Sequence, residues 1–282
     1  MRLSRSKKAV LMGTALLTIG VAGRAAAQEV PHHHATRAAP IFKTPPPSSK
    51  PKPKPKPKPT HTTPAHTVAS HAPKLGKKTG GPAGSHLSTG TRSVALTFDD
   101  GPDPVQTPRM LKLLAQQHVH ATFCLVGENV QRHPELVRKI VAGGHTLCNH
   151  TWSHSLTIGK KPAAEIRADL QRTNDAILNA DPKAKIGYFR APGGNFTPSL
   201  VTTAQSLGMT SLYWKVDPRD WEHPQGESDA AHQTRVIRTV EKHVGKGAII
   251  LSHDYNQPDT IAAYRTLIPW LRHRYQLVAM PI

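Results

Sequence analysis

From Ser93 onward, short apolar runs rich in β-branched residues alternate with longer stretches whose apolar positions recur every three to four residues. The runs predict strands near 93–98, 120–126, 145–149, 186–190, 209–216, 247–252 and 275–280. The amphipathic stretches predict helices near 105–117, 129–142, 162–180, 198–207, 229–244 and 259–273. Thr197-Pro198 reads as an N-cap followed by proline in the first turn, and Lys161-Pro162 suits a second helix entry. Gly143-Gly144 and Gly208 stop the helices before them. Alternating strand and helix implies a parallel sheet with helices outside it. Seven strands predict an α/β fold of distorted (β/α)7-type barrel form, with an open doubly wound sheet as the alternative. The polar clusters fall at or just after the C-terminal ends of strands, the face on which a barrel gathers its active site.

Ahead of residue 91 the pattern is different. Arg2, Arg5, Lys7 and Lys8 precede an apolar stretch from Ala9 to Val21, and Ala25-Ala26-Ala27 follows. This reads as an export signal over residues 1–27, too short to span a bilayer as a stable anchor. Residues 28–90 read as a disordered basic stem with almost no large apolar residues to bury. Lys and Pro alternate without a break from Lys50 to Pro59, which predicts an extended, charge-stiffened rod. Gly76 to Gly90 reads as a flexible hinge, and a folded domain is expected over 91–282.

Charge follows the same division. Residues 1–90 hold fifteen Lys/Arg against one acid, so the formal +19 of the chain belongs mostly to this segment. No recognition motif surrounds the basic residues, so nucleic acid is not an expected partner. The stem suits electrostatic contact with anionic cell-wall polymers, or a plain solvated spacer. Export places the protein as secreted or wall-associated, where Cys124 and Cys148 are free to oxidise to a disulfide.

The candidate chemistry sits on strand ends. Asp99 and Asp100 close the first strand, and Gly101-Pro102 supplies the turn that lets both acids reach one site. His150 and His154 follow the third strand, and their i, i+4 spacing suits one face of a helical turn. One carboxylate with two imidazoles is a common catalytic zinc set, leaving the other acid of the pair as a base. Arg190 leads into a Gly-rich loop containing Gly193, Asp220-Trp221 follows the fifth strand, and Leu251-Ser252-His253 ends the sixth.

Taken in order, Thr97-Phe98-Asp99-Asp100-Gly101, His150-Thr-Trp-Ser-His154, Arg190-Ala-Pro-Gly-Gly194, Asp217-Pro-Arg-Asp220-Trp221 and Leu251-Ser-His253 resemble the polysaccharide deacetylase family, the NodB-homology group of carbohydrate esterases. The resemblance implies that Asp100, His150 and His154 hold a divalent metal, Zn2+ or another such as Co2+. It implies Asp99 as general base positioned by Arg190, and His253 as general acid paired with Asp220. Trp221 and Leu251 then wall the pocket for the acetyl methyl, and the Gly193 N–H faces the oxyanion. The family often carries Tyr where this chain has Gly193, so a ring that grips the sugar is missing. The expected substrate is an acetylated polysaccharide: N-acetylglucosamine units of peptidoglycan or chitin oligomers. O-deacetylation of acetylated xylan and a non-catalytic wall-binding role are the alternatives.

Overall fold

The computed structural model describes residues 80–282; the expected export signal and residues 28–79 of the expected stem lie outside the described residues. Strands β1 (Val94–Asp99), β2 (Thr122–Leu125), β3 (Thr146–Asn149), β4 (Ile186–Phe189), β5 (Thr210–Ser211) and β6 (Ile249–His253) are parallel, in the order β5-β4-β3-β2-β1-β6. The sheet curls into a half-barrel. Past β5 the chain swings round to β6, where Val216 bridges Ile250, so the predicted 209–216 strand is two residues of β5 plus this contact. The last strand, β7 (Leu277–Val278), pairs with Val94 and Ala95 at the start of β1. Just beyond it, Met280 hydrogen-bonds the Thr122 and Thr146 side chains.

Among the described residues seven α-helices pack on the outside: α1 (Gln106–Gln116), α2 (Gly127–Arg132), α3 (Pro134–Ala142), α4 (Ala163–Ala180), α5 (Pro198–Ser206), α6 (Asp229–His243) and α7 (Pro258–Arg274). Each buries one stripe, as Leu136, Val137 and Ile140 do in α3. The helix predicted over 129–142 is two helices. Pro134 cannot donate a backbone hydrogen bond, and the chain breaks at His133 and restarts. Thr197 caps α5 as expected, its hydroxyl accepting from the Leu200 N–H. Among the described residues no helix is long and apolar enough to cross a membrane.

Strand alternation sorts the core into two clusters. Val94, Leu96 and Phe98 of β1 face the helices, with Phe123, Leu147, Phe189 and Ile250 from neighbouring strands. Ala95, Cys124, Cys148, Tyr188, Leu212 and Ile249 face the other way, into the curl of the sheet. Cys124 and Cys148 are direct partners in the β2–β3 register and are joined as a disulfide.

The stretch expected to end the flexible hinge is instead part of the packed body from Gly80. His86 lies beside β5, with its N–H on the Ser211 carbonyl and its own carbonyl accepting from Tyr213. Ser88 bridges Ala248 ahead of β6, and Ser85 and Thr89 are buried. The bonds are made by backbone, which explains why a Gly/Ser/Thr composition concealed them.

Candidate active site

The alternation that fills the inner face also builds the site. Asp99 lies two residues beyond Thr97 on β1, His150 two beyond Cys148, Arg190 two beyond Tyr188, and His253 two beyond Leu251. Each side chain is the next inward position above the inner core, at the C-terminal mouth of the sheet. Asp99 and His253 are direct partners in the β1–β6 register.

Asp100 reaches the same mouth because its backbone takes φ +74°, reversing the chain just past the strand. Two bonds hold that reversal: Asn129 Nδ2 to the Asp100 carbonyl (2.7 Å) and the Val126 N–H to the Gly101 carbonyl (2.9 Å). Gly101 is required by crowding, since a Cβ there would lie 2.6 Å from Asp254 Oδ1.

His150 and His154 do not share a helical turn, contrary to the spacing argument. They sit on an irregular loop with positive φ at Thr151 (67°) and His154 (54°). Asn149 fixes its base: the side-chain amide donates to the Leu170 carbonyl and to Asn174, while Oδ1 accepts from the Thr151 N–H. The first two N–H groups of α2 donate to the Thr151 and Trp152 carbonyls, and Asp169 accepts from the Trp152 N–H. The loop therefore gets its shape from both flanking helices rather than from local propensity.

Asp100 Oδ1 lies 3.3 Å from Nε2 of His150 and 3.3 Å from Nε2 of His154. A tetrahedral cation with ligand bonds of about 2.0–2.1 Å sets its donor atoms about 3.3–3.4 Å apart. Asp100 Oδ1 is also buried without a hydrogen-bond donor of suitable geometry. His150 Nδ1 is 2.8 Å from the Arg190 carbonyl, so that nitrogen carries the proton and Nε2 is left as the free lone pair. The three residues thus fit a divalent cation of the zinc type. Burial opposes ionisation of Asp100, yet the close contact with His150 and the charges of the neighbouring imidazoles hold its carboxyl well below the usual range. Burial also lowers His150, but Asp99 and Asp100 outweigh it and raise that imidazole, so a cation and a proton compete there.

Asp99 is in a different environment. Arg190, fully buried, donates from Nη1 to Asp99 Oδ1 (2.7 Å) and to Thr97 Oγ1 (2.8 Å). Asp99 Oδ2 stays 3.6 Å from His150 Nε2, at the edge of the ligand group. Across the mouth, Asp220 accepts from His253 Nδ1 (2.8 Å), the His253 N–H (2.8 Å) and Thr260 Oγ1 (2.7 Å). Burial pulls the His253 imidazole down, but Asp220, with Asp100 and Asp99, pushes it up to about 10.

The structure brings Asp99, Asp100, His150, His154, Arg190, Asp220 and His253 together. Gly193, Trp221 and Leu251 lie on adjoining segments without a bonded contact to that group. Gly193 has φ +59°, Leu251 is buried below His253, and Trp221 is 45% exposed with Arg219 stacked on its ring at 4.8 Å. Sequence reasoning passed over the supports: Thr97, Asn129 and Thr260, and the fully buried Asp254. Asp254 Oδ2 accepts from Thr107 (2.5 Å), and burial together with the neighbouring carboxylates pushes the group up to about 7. Nothing in their local sequence distinguishes these residues from surface polar ones. Only the placement of Asp254 beside His253 was a hint.

A curled parallel sheet carrying an Asp-His-His cluster, an arginine-held acid and an aspartate-held histidine makes a site suited to metal-assisted hydrolysis. Residues 86–212 match the family model described as polysaccharide deacetylase. The chain is 37% identical over 199 residues to a chitooligosaccharide deacetylase of Bradyrhizobium sp., covering 66% of this chain and 87% of the relative. It is 35% identical over 198 residues to a peptidoglycan-N-acetylglucosamine deacetylase of Bacillus cereus, covering 66% and 85%. Among solved structures, a mutant of a CE4 family pseudoenzyme of Bacillus anthracis, with restored enzymatic activity, superposes with a TM-score of 0.61 at 29% identity. That match covers 67% of this chain and 66% of the other, just under two thirds of its length. The chain belongs to the polysaccharide deacetylase family, that of the CE4 esterases and the NodB-homology domain.

Proposed function

We propose that this chain is a divalent-metal-dependent N-deacetylase that removes acetyl groups from N-acetylglucosamine units of chitin oligomers or peptidoglycan. The observation that carries the reading is the division of labour in the acid pair: Asp100 faces two imidazole nitrogens at 3.3 Å while Asp99 is bound by Arg190. Membership alone does not carry it, because a pseudoenzyme shares the fold. The two relatives, named for chitooligosaccharide and for peptidoglycan N-acetylglucosamine, support the substrate class.

Asp100, His150 and His154 would hold the metal, with Zn2+ or Co2+ the expected ions. When bound, such a cation supplies Lewis acidity, lowering the pKa of water and polarising an acyl oxygen. Asp99 serves as general base. Arg190 orients its carboxylate, with Oδ2 on the side of the ligand group. The Gly193 N–H is assigned to the developing oxyanion, a donor worth about 3–4 kcal/mol. His253 delivers a proton to the departing amine, and an imidazole pushed up to about 10 carries that proton at neutral pH. Asp220 holds the ring by Nδ1, leaving Nε2 for the substrate. Trp221 and Leu251 are assigned to the acetyl pocket. The export signal and basic stem read from the sequence support a secreted or wall-associated site of action.

The test is acetate release from chitin oligomers, peptidoglycan and acetylated xylan in parallel, with and without chelation. Release from the first two that stops on chelation and returns with zinc is the expected result. Release from xylan alone makes the chain an O-deacetylase, and no release from any makes it a binding protein.

A further inference from the structure

The segment that delivers Asp220 runs on into a second group of ligand-type side chains that deacetylation does not use. His223 lies in that segment, His232 in α6 and Asp259 in the first turn of α7. Each offers one ligand atom, and the three atoms lie within 4.8 Å of one another. His232 Nδ1 is 3.1 Å from Asp259 Oδ2. Asp259 Oδ1 is itself held, accepting from Gln233 Nε2 at 2.7 Å, the outer hydrogen bond that commonly orients a ligating carboxylate. The rings of His223 and His232 are 4.1 Å apart, centre to centre, and His223 Nε2 is 3.1 Å from Gln257 Oε1.

A buried histidine paired with an aspartate is an ordinary core feature when both ring nitrogens are satisfied. Here one is not: His232 is buried, and its Nε2 has no hydrogen-bond partner. His232 Nδ1, which faces Asp259 Oδ2, is the nitrogen that can share a cation with that carboxylate, and their 3.1 Å separation is close to that of neighbouring ligands on a tetrahedral ion. Two imidazoles and one carboxylate form a zinc-type donor set, and exposure of His223 leaves an approach from solvent.

We propose that His223, His232 and Asp259 form a second divalent transition-metal site that ties the segment between Asp217 and Ser228 to α6 and α7. Its role is positional. Asp259 precedes Thr260, whose hydroxyl donates to Asp220 Oδ2, so the clamp ends one residue from a side chain that holds the aspartate orienting His253. Coordination by His223 would hold the loop that carries Asp220 and Trp221.

The test uses the full chain, stripped by chelator and dialysed against Zn2+, with bound zinc counted by mass spectrometry. His223 is exposed, so His223→Gln should leave the fold unchanged by circular dichroism. The expected result is one zinc equivalent fewer in H223Q than in the parent chain. Zinc should also slow hydrogen exchange at residues 217–228 in the parent and not in H223Q. Stem histidines and the Asp100 cluster are common to both proteins and cancel in the comparison. Equal zinc content would overturn the site, and unchanged loop protection would overturn its clamping role. His150→Ala separates the two centres: it should end acetate release yet keep the zinc equivalent that H223Q loses.

Discussion

Replacing Asp99 by Asn tests the division of the acid pair most directly. The amide keeps an acceptor for Arg190 Nη1, now 2.7 Å from Asp99 Oδ1, so the packing of the β1 end should survive. The fully buried guanidinium nevertheless loses its counter-charge. Removing one member of a buried ion pair costs about 3–5 kcal/mol. Because Asn still accepts a hydrogen bond, a smaller loss of about 1.5–3 kcal/mol is expected. Catalysis should fall further. A positioned general base contributes about 100- to 10,000-fold, or about 3–5.5 kcal/mol of barrier. Metal content should not fall, since Asp100, His150 and His154 are untouched. The assay is acetate release from a chitin oligomer with bound zinc measured on the same sample. Turnover within about threefold of the parent, with metal retained, would remove Asp99 from the chemistry. Loss of the metal would make Asp99 a ligand and refute the assignment of roles.

Three further outcomes follow from the same geometry. Asp220→Asn should move the alkaline limb of the pH–rate profile to lower pH, because Asp220 is the chief group raising His253. A raised imidazole pKa stabilises the fold fully below about 6.5 and loses that contribution as pH climbs toward about 10, so denaturant midpoints of parent and D220N should converge at alkaline pH. Replacing both Cys124 and Cys148 by Ala should cost about 3.5 kcal/mol by the loop-closure relation for a 24-residue separation, read by urea unfolding against the oxidised parent. Gly101→Ala should cost about 1–3 kcal/mol and weaken zinc binding in a dialysis assay, because its Cβ meets Asp254 Oδ1 and must displace the Asp99–Asp100 turn.

The strand and helix order was legible in the sequence because each element carries its own period, and burial of one face fixes where that period must start. The site residues were legible because they end strands, and strand ends on one face converge by topology alone. Local conformation was less so. The His150–His154 loop depends on left-handed backbone at Thr151 and His154, residue types that carry no signal for it, and is held by Asn149, Asp169 and the start of α2. The break at Pro134 was visible as a proline but was absorbed into one long periodic stretch. The His223, His232 and Asp259 group was not legible at all, since three segments meet there only in the folded chain.

Two adjacent aspartates would ordinarily be interchangeable, and here the fold makes them unlike. Asp99 remains in strand geometry, pointing inward, where Arg190 satisfies one oxygen and balances its charge. Asp100 leaves the strand at φ +74°, pairs with no arginine or lysine among the described residues, and has an oxygen without a suitable hydrogen-bond donor between two imidazoles. A non-glycine residue in that conformation costs about 1–3 kcal/mol, and Thr151 and His154 add similar strains around the same point. Such costs persist only where surrounding bonds over-determine them. Asn129 on the Asp100 carbonyl, Val126 on that of Gly101, and Thr107 on the Asp254 carboxyl beneath the turn provide those bonds. The hydrogen bonds that shape the turn are therefore what set one acid between two imidazoles and leave its neighbour on Arg190.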